Sequence, residues 1–274
     1  MTTVARLSDR IPDLAIHPRS LTTLLNVIDD PAVGADELMP VIEQDMGLTA
    51  NLLRLCNSPI YNSRREIGSV REALVRIGNR AFARLAFVLG VEPVLNKGGA
   101  PLSNEEDSLW RHSLAVGWAS AKLAAELGVP ELSDRAYTAG ILHDLGKAAY
   151  DGLAEDLGLT VMVTHEQERA VLGVDHAELA AQVVDRWGLP EAVVEMIRNH
   201  HEPRGEGRAL AGCRAVHAAD RLAHEAAGHY EEEEIAEFGI MLEEWGVGND
   251  VVISIRERLS DIDTDVLALA LGRG

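Results

Sequence analysis

Apolar residues recur at spacings of three and four along most of this chain, which is the pattern of amphipathic α-helices. Aromatic residues make up only 4% of the sequence, and runs of β-branched residues are short, so little favours β-strands. Breaks rich in glycine and proline divide the chain into about ten helical segments. The pattern therefore predicts an all-α protein.

The densest of these breaks lies at residues 97–101, where two glycines and a proline follow a helix. We therefore predict two helical subdomains and a tail. Residues 1–98 form the N-terminal subdomain, residues 99–228 form a helical core, and residues 229–274 form an acidic helical tail. The helices predicted in the first subdomain span residues 20–28, 35–43, 48–56, 69–77 and 79–90.

Several ionisable residues of the predicted core lie on apolar helix faces or at their ends. A lone histidine in such a place is usually a hydrogen-bonded core residue, so none of the histidines is diagnostic by itself. A buried aspartate is different, because an uncompensated carboxylate in the interior is costly and needs a cation, a metal or a proton. The residues with this placement are His112, His143, Asp144, His176, His200, His201 and Asp220.

Convergence of these side chains on divalent metal is the economical explanation, because neutral imidazoles and carboxylates are standard ligands. Seven ligands are too many for one ion, so we expect two ions that are bridged by Asp144 and by water or hydroxide. A ligand set without thiolate favours iron, manganese or another octahedral metal over structural zinc. Two such ions would provide the clamp that phosphoester hydrolysis requires.

Charge and cysteine content limit the partners and the compartment. The formal net charge is −19 at pH 7, and this field would repel nucleic acid and anionic membrane surfaces. Cys56 and Cys213 lie far apart and outside any CxxC motif, which argues against disulfides and thiolate zinc sites. No segment has the pattern of a signal peptide or of a membrane span. We expect a cytoplasmic protein with no nucleic-acid or membrane partner.

At its seven candidate ligands the sequence resembles the HD superfamily of metal-dependent phosphohydrolases, whose ligand series runs H…HD…H…H…D. Over residues 10–225 it is similar to the HDOD proteins, which are relatives of the HD-GYP cyclic-di-GMP phosphodiesterases. The resemblance implies that the second subdomain is an HD-type helical core with a metal pocket between helices. The stretches that carry it are 11–25, 41–45, 48–53, 56–61, 67–78, 110–116, 173–178, 187–190 and 200–203.

The segment from His143 to Lys147 matches the HDxGK turn of this superfamily, with Gly146 at a natural helix C-terminal position. The resemblance implies that the histidine and the aspartate hold metal and that Lys147 faces substrate phosphate, which suits its point charge. Arg204 and Arg208 follow the histidine pair in a loop that contains glycine, and they are candidates for a second anion contact. Most arginines in such a place are ordinary surface charges. The loop lacks the Tyr-Pro sequence of the HD-GYP enzymes.

Two functions fit these features. The first is a metal-dependent phosphohydrolase that cleaves a nucleotide or cyclic-dinucleotide phosphoester with a metal-bridged hydroxide, with Asp144 and Lys147 as catalytic residues. The second is a non-catalytic signalling or scaffolding module that binds a partner protein or a nucleotide, with the metal as a structural staple. The first subdomain supplies none of the seven ligands, so it is either a partner surface or a cover for the apolar faces of the core.

Overall fold

The computed structural model describes Leu7 and residues 18–29, 35–57, 67–97, 109–150 and 164–260. These ranges contain thirteen α-helices, two short 3₁₀ helices (Pro130–Leu132 and Leu145–Tyr150) and no strand, so the predicted all-α class is confirmed. The α-helices are α1 (Pro18–Asp29), α2 (Ala35–Glu43), α3 (Met46–Cys56), α4 (Val70–Ile77), α5 (Asn79–Lys97), α6 (Leu109–Glu126), α7 (Ser133–Leu142), α8 (His165–Leu172), α9 (His176–Arg186), α10 (Glu191–Arg198), α11 (Gly207–Ala226), α12 (Glu232–Glu244) and α13 (Asn249–Ser260).

Residues 13–94 form one compact unit that contains α1 to α4 and most of α5. Helix α2 packs against α1, α3 and α4, and apolar side chains such as Ile42 and Leu52 are completely buried there. The side chain of Asn57, at the end of α3, exchanges hydrogen bonds with the backbone of Ile67 at 2.7 and 2.9 Å. These bonds tie the end of α3 to the segment that leads into α4.

Residues 95–272 belong to the other compact unit. Helix α6 packs against α7 and α11, and α10 packs against α7, α9 and α11. The backbones of α6 and α7 approach closely, because a Cβ on Gly140 would lie 2.7 Å from the Cα of Gly117. This contact holds the helix that carries His112 against the helix that ends just before His143.

Helix α5 is longer than the segment predicted over residues 79–90, because it continues to Lys97. It contains Pro93, a residue that removes a helical hydrogen bond and usually ends or kinks a helix. Val91 and Val94 on either side of this proline are buried, and the burial of apolar surface offsets part of the loss.

The tail predicted over residues 229–274 contains α12 and α13. Helix α13 packs against α11 and α6, and the acidic run at residues 231–234 is exposed around the start of α12. Residues 98–108 and 261–274, which include the predicted subdomain boundary and the end of the tail, lie outside the described residues. None of the described helices combines the length and the apolar character that a bilayer span requires.

Candidate metal centre

The seven side chains predicted as ligands lie close together within the unit of residues 95–272. They come from α6 (His112), the turn after α7 (His143 and Asp144), the start of α9 (His176), the turn after α10 (His200 and His201) and α11 (Asp220). Their ligand atoms form three overlapping groups, and within each group all atoms lie within 4.8 Å of one another. The groups are His176, His200 and His201; His112, His143 and Asp220; and His143, Asp144 and His200.

The Asp144 carboxylate is buried at the centre of the cluster. Its Oδ1 lies 3.1 Å from Nε2 of His176, whereas its Oδ2 lies 3.4 Å from Nε2 of His143 and 3.6 Å from Nε2 of His112. One oxygen thus faces the group of His176, and the other faces the group of His112. The carboxylate therefore lies between the two groups.

Asp220 brings a second buried carboxylate to the cluster. Its Oδ1 lies 3.1 Å from Nε2 of His112 and 3.5 Å from Nε2 of His143. The group of His112 therefore includes a carboxylate of its own, whereas the group formed by His176, His200 and His201 consists of imidazoles.

Two of the imidazoles are oriented by the backbone. Nδ1 of His143 donates to the carbonyl oxygen of Gly140 at 2.8 Å, and Nδ1 of His200 donates to that of Ile197 at 2.7 Å. A neutral imidazole that donates through Nδ1 carries a lone pair on Nε2. Nε2 of His143 faces the two carboxylates, and Nε2 of His200 is buried with no hydrogen-bond partner in the described part of the chain.

This geometry fits a bound cation. A buried polar atom without a partner costs free energy, and a cation among these lone pairs and carboxylates would satisfy them together. Nε2 of His176 and Nε2 of His201 are only 2.8 Å apart, a spacing that suits two ligands of one ion. Cys56 and Cys213 are buried outside these groups, and burial raises the pKa of each thiol to about 11. The clusters are therefore compatible with metal binding through nitrogen and oxygen atoms alone.

Both carboxylates are ionised. Although burial opposes ionisation, neighbouring histidines hold the pKa of Asp144 and of Asp220 well below the usual value, and Lys147 contributes at Asp144. Nζ of Lys147 lies 2.6 Å from Oδ2 of Asp144, and this carboxylate outweighs burial and raises the pKa of the ammonium group. The cluster thus holds the negative charges of Asp144 and Asp220 and the cation of Lys147 at its edge, and the two carboxylates outweigh burial and raise the pKa of His143 as well.

The histidines of the imidazole group differ in charge. Burial lowers the pKa of His201 to about 2 and lowers the pKa of His200 well below its usual value, so both rings are neutral. For His176, burial also opposes protonation, but the carboxylates of Asp144 and Glu168 outweigh it and raise the pKa to about 9. His176 is therefore the histidine of this group that would have to lose a proton for a cation to bind.

Gly146 lets the turn after α7 pack against the start of α9. A Cβ at this position would lie 2.2 Å from the carbonyl oxygen of His176, which no side chain could tolerate without movement of the backbone. The interpretation of this glycine as a helix C-terminal residue is wrong, because it lies inside the 3₁₀ helix Leu145–Tyr150 and its φ is not positive. The close approach of two backbones is the physical reason for a glycine here.

Two further histidines touch the cluster although the sequence did not assign them to it. Nε2 of His224 lies 3.3 Å from Oδ1 of Asp220, and burial lowers the pKa of His224 to about 4. The ring of His165 stacks on that of His201 with centroids 4.2 Å apart. The signal for His224 was its position four residues after Asp220, which places both on one helix face.

Glu168 is a buried carboxylate that the sequence analysis also missed. Both of its oxygens lie within 3 Å of Nδ1 of His176. It precedes buried Leu172 by one helical turn, so it lies on the apolar face of α8. A carboxylate on an apolar face is the same signal that singled out Asp220.

The two arginines predicted as anion contacts form ion pairs elsewhere. Arg204 pairs with Glu202, and Arg208 pairs with Glu131 at 3.2 Å. Both arginine side chains are exposed. Their contact with a substrate anion stays a prediction.

A helical core that encloses five histidines and two aspartates in overlapping ligand groups defines this protein as an all-α protein with a candidate metal centre. The chain belongs to the HDOD domain family, whose family model matches residues 14–203. The predicted family is thereby confirmed. Asp220 lies beyond the matched residues and joins the cluster through the fold.

The chain is similar to parts of longer proteins. An uncharacterized protein of Treponema pallidum (strain Nichols) is 28% identical over 205 residues, which cover 72% of this chain and 39% of that protein. Ribonuclease Y of Lawsonia intracellularis (strain PHE/MN1-00) is 30% identical over 158 residues, which cover 57% of this chain and 24% of the ribonuclease. The chain thus spans less than half the length of these relatives.

Solved structures share the fold over almost the whole chain. A candidate phosphohydrolase from Shewanella amazonensis SB2B superposes with a TM-score of 0.67 at 22% identity, covering 98% of this chain and 97% of that one. An HDOD domain protein of unknown function from Geobacter sulfurreducens superposes with a TM-score of 0.63 at 20% identity, covering 98% and 95%. At these identities the similarity concerns the fold.

Proposed function

We propose that this protein is a metal-dependent phosphohydrolase that cleaves a phosphoester of a nucleotide or cyclic dinucleotide. The observation that carries this proposal is the convergence of seven nitrogen and oxygen ligands, with one oxygen of Asp144 facing each side of the cluster. Seven ligands exceed what one ion uses, so the arrangement suits two divalent ions. The similarity to proteins named Ribonuclease Y supports a phosphodiester as the bond that is cleaved.

The residues that would hold the ions are His112, His143, Asp144, His176, His200, His201 and Asp220. Their donor atoms include no thiolate, which favours iron or manganese over structural zinc. When bound at such a site, divalent metal lowers the pKa of water and stabilises the charge that develops on phosphoryl oxygens.

Protein groups at the edge of the cluster would bind the phosphate. The side chain of Lys147 is 31% exposed beside Asp144, and its ammonium group is proposed to contact the phosphate. Arg204 is exposed in the loop after the histidine pair, Arg208 is exposed in the first turn of α11, and both are proposed as second anion contacts. Gly146 holds the Asp144 turn against α9, which keeps the carboxylate oriented between the two groups.

The charge of the chain bears on the class of substrate. A formal net charge of −19 repels long polyanions, whereas a small nucleotide presents few phosphates and is repelled much less. We therefore propose a mononucleotide or a cyclic dinucleotide as the substrate.

The test combines metal analysis with a panel of phosphoesters. Protein purified without chelator is analysed for its elemental content, and product release is then measured with cyclic dinucleotides, cyclic and linear mononucleotides and a short single-stranded RNA. We expect about two metal ions per chain and turnover of at least one small nucleotide. Turnover of RNA alone would overturn the substrate class. Stoichiometric metal with no turnover would overturn catalysis and favour a non-catalytic signalling module.

A further inference from the structure

Glu168 contacts both the backbone and the ring of a single candidate ligand. Its Oε2 accepts a hydrogen bond from the backbone N–H of His176 at 2.7 Å. Nδ1 of the same residue lies 2.7 Å from Oε2 and 2.9 Å from Oε1. Both side chains are buried, so the carboxylate has been removed from water in order to make these contacts.

A tight connection between α8 and α9 brings the two residues together. Helix α8 ends at Leu172, its C-cap Gly173 turns the chain with a φ of +76°, and Asp175 is already the N-cap of α9. Arg169 pairs with the buried carboxylate of Asp175 at 2.6 Å and holds this connection closed. His176 is therefore the first residue of α9, and its backbone N–H has no partner within the helix. Glu168 supplies that partner.

The other ring nitrogen of His176 points into the cluster. Its Nε2 lies 3.1 Å from Oδ1 of Asp144 and 2.8 Å from Nε2 of His201. When Nδ1 donates to a carboxylate, the tautomer and the ring orientation are fixed, and Nε2 becomes a more basic ligand atom. The contacts of Glu168 thus determine which nitrogen of His176 is presented to a metal.

Glu168 also adds a second negative charge beside His176, whose Nε2 already faces Oδ1 of Asp144. The group of His176, His200 and His201 consists of imidazoles, and Nδ1 of His200 donates to a neutral carbonyl oxygen. His176 therefore has a carboxylate at each ring nitrogen, with Glu168 at Nδ1 and Asp144 facing Nε2.

We propose that Glu168 is a positioning residue of the metal centre, which orients His176 and makes the imidazole group able to hold its own ion. This inference rests on the proposed metal-dependent function. It assigns Glu168 no contact with the substrate, and its effect on metal binding is transmitted through His176.

The test uses cobalt(II) as the probe, titrated into metal-free full-length protein and followed by its visible absorption and by bound metal per chain. Glu168→Gln keeps the size and an acceptor oxygen but removes the charge, and Glu168→Ala removes the whole group. Asp185→Asn is the matched control for loss of a negative charge, because the side chain of Asp185 is exposed in α9. We expect Glu168→Gln to weaken one of two cobalt sites about 10-fold and Glu168→Ala about 100-fold, with an altered spectrum. The control should match the wild type.

A double-substitution experiment separates positioning from a general structural role. If Glu168 acts through His176, Glu168→Gln has no further effect on cobalt affinity in a His176→Ala background. Equal losses in both backgrounds, or a wild-type cobalt spectrum and affinity in Glu168→Gln, would overturn the inference while leaving the metal centre in place. If the wild type binds no cobalt, iron or manganese, the proposed function fails together with the inference.

Discussion

The two compact units of this chain have different interiors. Within the described part of residues 13–94, the buried side chains are apolar, and Leu24, Ile42 and Leu52 are fully enclosed. Within the described part of residues 95–272, the interior also contains polar and charged side chains. They are Ser113, Ser120, Asp134, Thr138, His143, Asp144, Glu168, Asp175, His176, His200 and Asp220.

The difference separates groups that stabilise a fold from groups that perform chemistry. An apolar interior needs only the right volume and shape, and it stabilises the protein by removing apolar surface from water. Buried carboxylates and imidazoles cost free energy unless they are compensated. Replacing them with apolar residues of similar size would often leave the stability of the fold unchanged or increase it. If the buried carboxylates and imidazoles of the cluster serve ligand binding, as proposed above, substitutions there and in the apolar unit should have different effects.

The largest effect is expected from Asp144→Ala, which removes the carboxylate that faces both sides of the cluster. We expect turnover of the cleaved phosphoester to fall about 1000-fold or more, equivalent to about 4 kcal/mol in activation free energy. Bound metal per chain should fall as well, which elemental analysis would show. Asp185→Ala, at an exposed position of α9, is the control. A variant at Asp144 that kept its metal and its activity would contradict the bridging role.

The next effect concerns the apolar unit. Leu52 is fully buried in α3, so Leu52→Ala should lower the free energy of unfolding by about 2–5 kcal/mol, as measured by chemical denaturation. Metal content per folded chain should stay at the wild-type value, because the apolar unit supplies no ligand. If this variant lost its metal, the apolar unit would also be needed for metal binding, and the contrast between the two interiors would be wrong.

The ligands could be predicted from the sequence because helix periodicity places them. His112, His176 and Asp220 share helical stripes with small apolar residues, and this spacing predicts that they point inward wherever the helices pack. The residues that orient these ligands could not be predicted from helix periodicity. The contact of Glu168 with His176 depends on the path of the chain through Gly173, which spacing along one helix does not describe.

Gly146 shows a second limit of sequence reasoning. A glycine after a helix is commonly a C-terminal residue of that helix, and the sequence alone favours that interpretation. What requires a glycine here is the carbonyl oxygen of His176, a residue 30 positions later in the chain. The closeness of this oxygen to Gly146 appears only in the folded structure.

Gly146→Ala should therefore have a moderate effect that is specific to the cluster. The new Cβ would lie 2.2 Å from the carbonyl oxygen of His176, so the turn and α9 must separate, at a cost of about 1–3 kcal/mol. Cobalt affinity should fall together with thermal stability. Gly239→Ala in α12 is the matched control, because nothing lies within 4 Å of the added methyl group. That control should stabilise the protein by about 0.5–1 kcal/mol. Equal behaviour of the two variants would show that the close approach has no role in the metal centre.

The smallest effect is expected at His224, which lies at the edge of the cluster with its side chain 30% exposed. Its Nε2 lies 3.3 Å from Oδ1 of Asp220, and its Nδ1 lies 3.0 Å from Nδ1 of His229. Loss of one polar contact at the edge of the cluster costs no more than a typical hydrogen bond, about 0.5–1.5 kcal/mol, so His224→Ala should weaken cobalt binding less than about tenfold. His229→Ala should weaken it less still and should add nothing in the His224→Ala background. If His224→Ala instead removed a whole metal ion per chain, His224 would itself be a ligand, and the boundary between ligands and supporting residues would move outward by one helical turn.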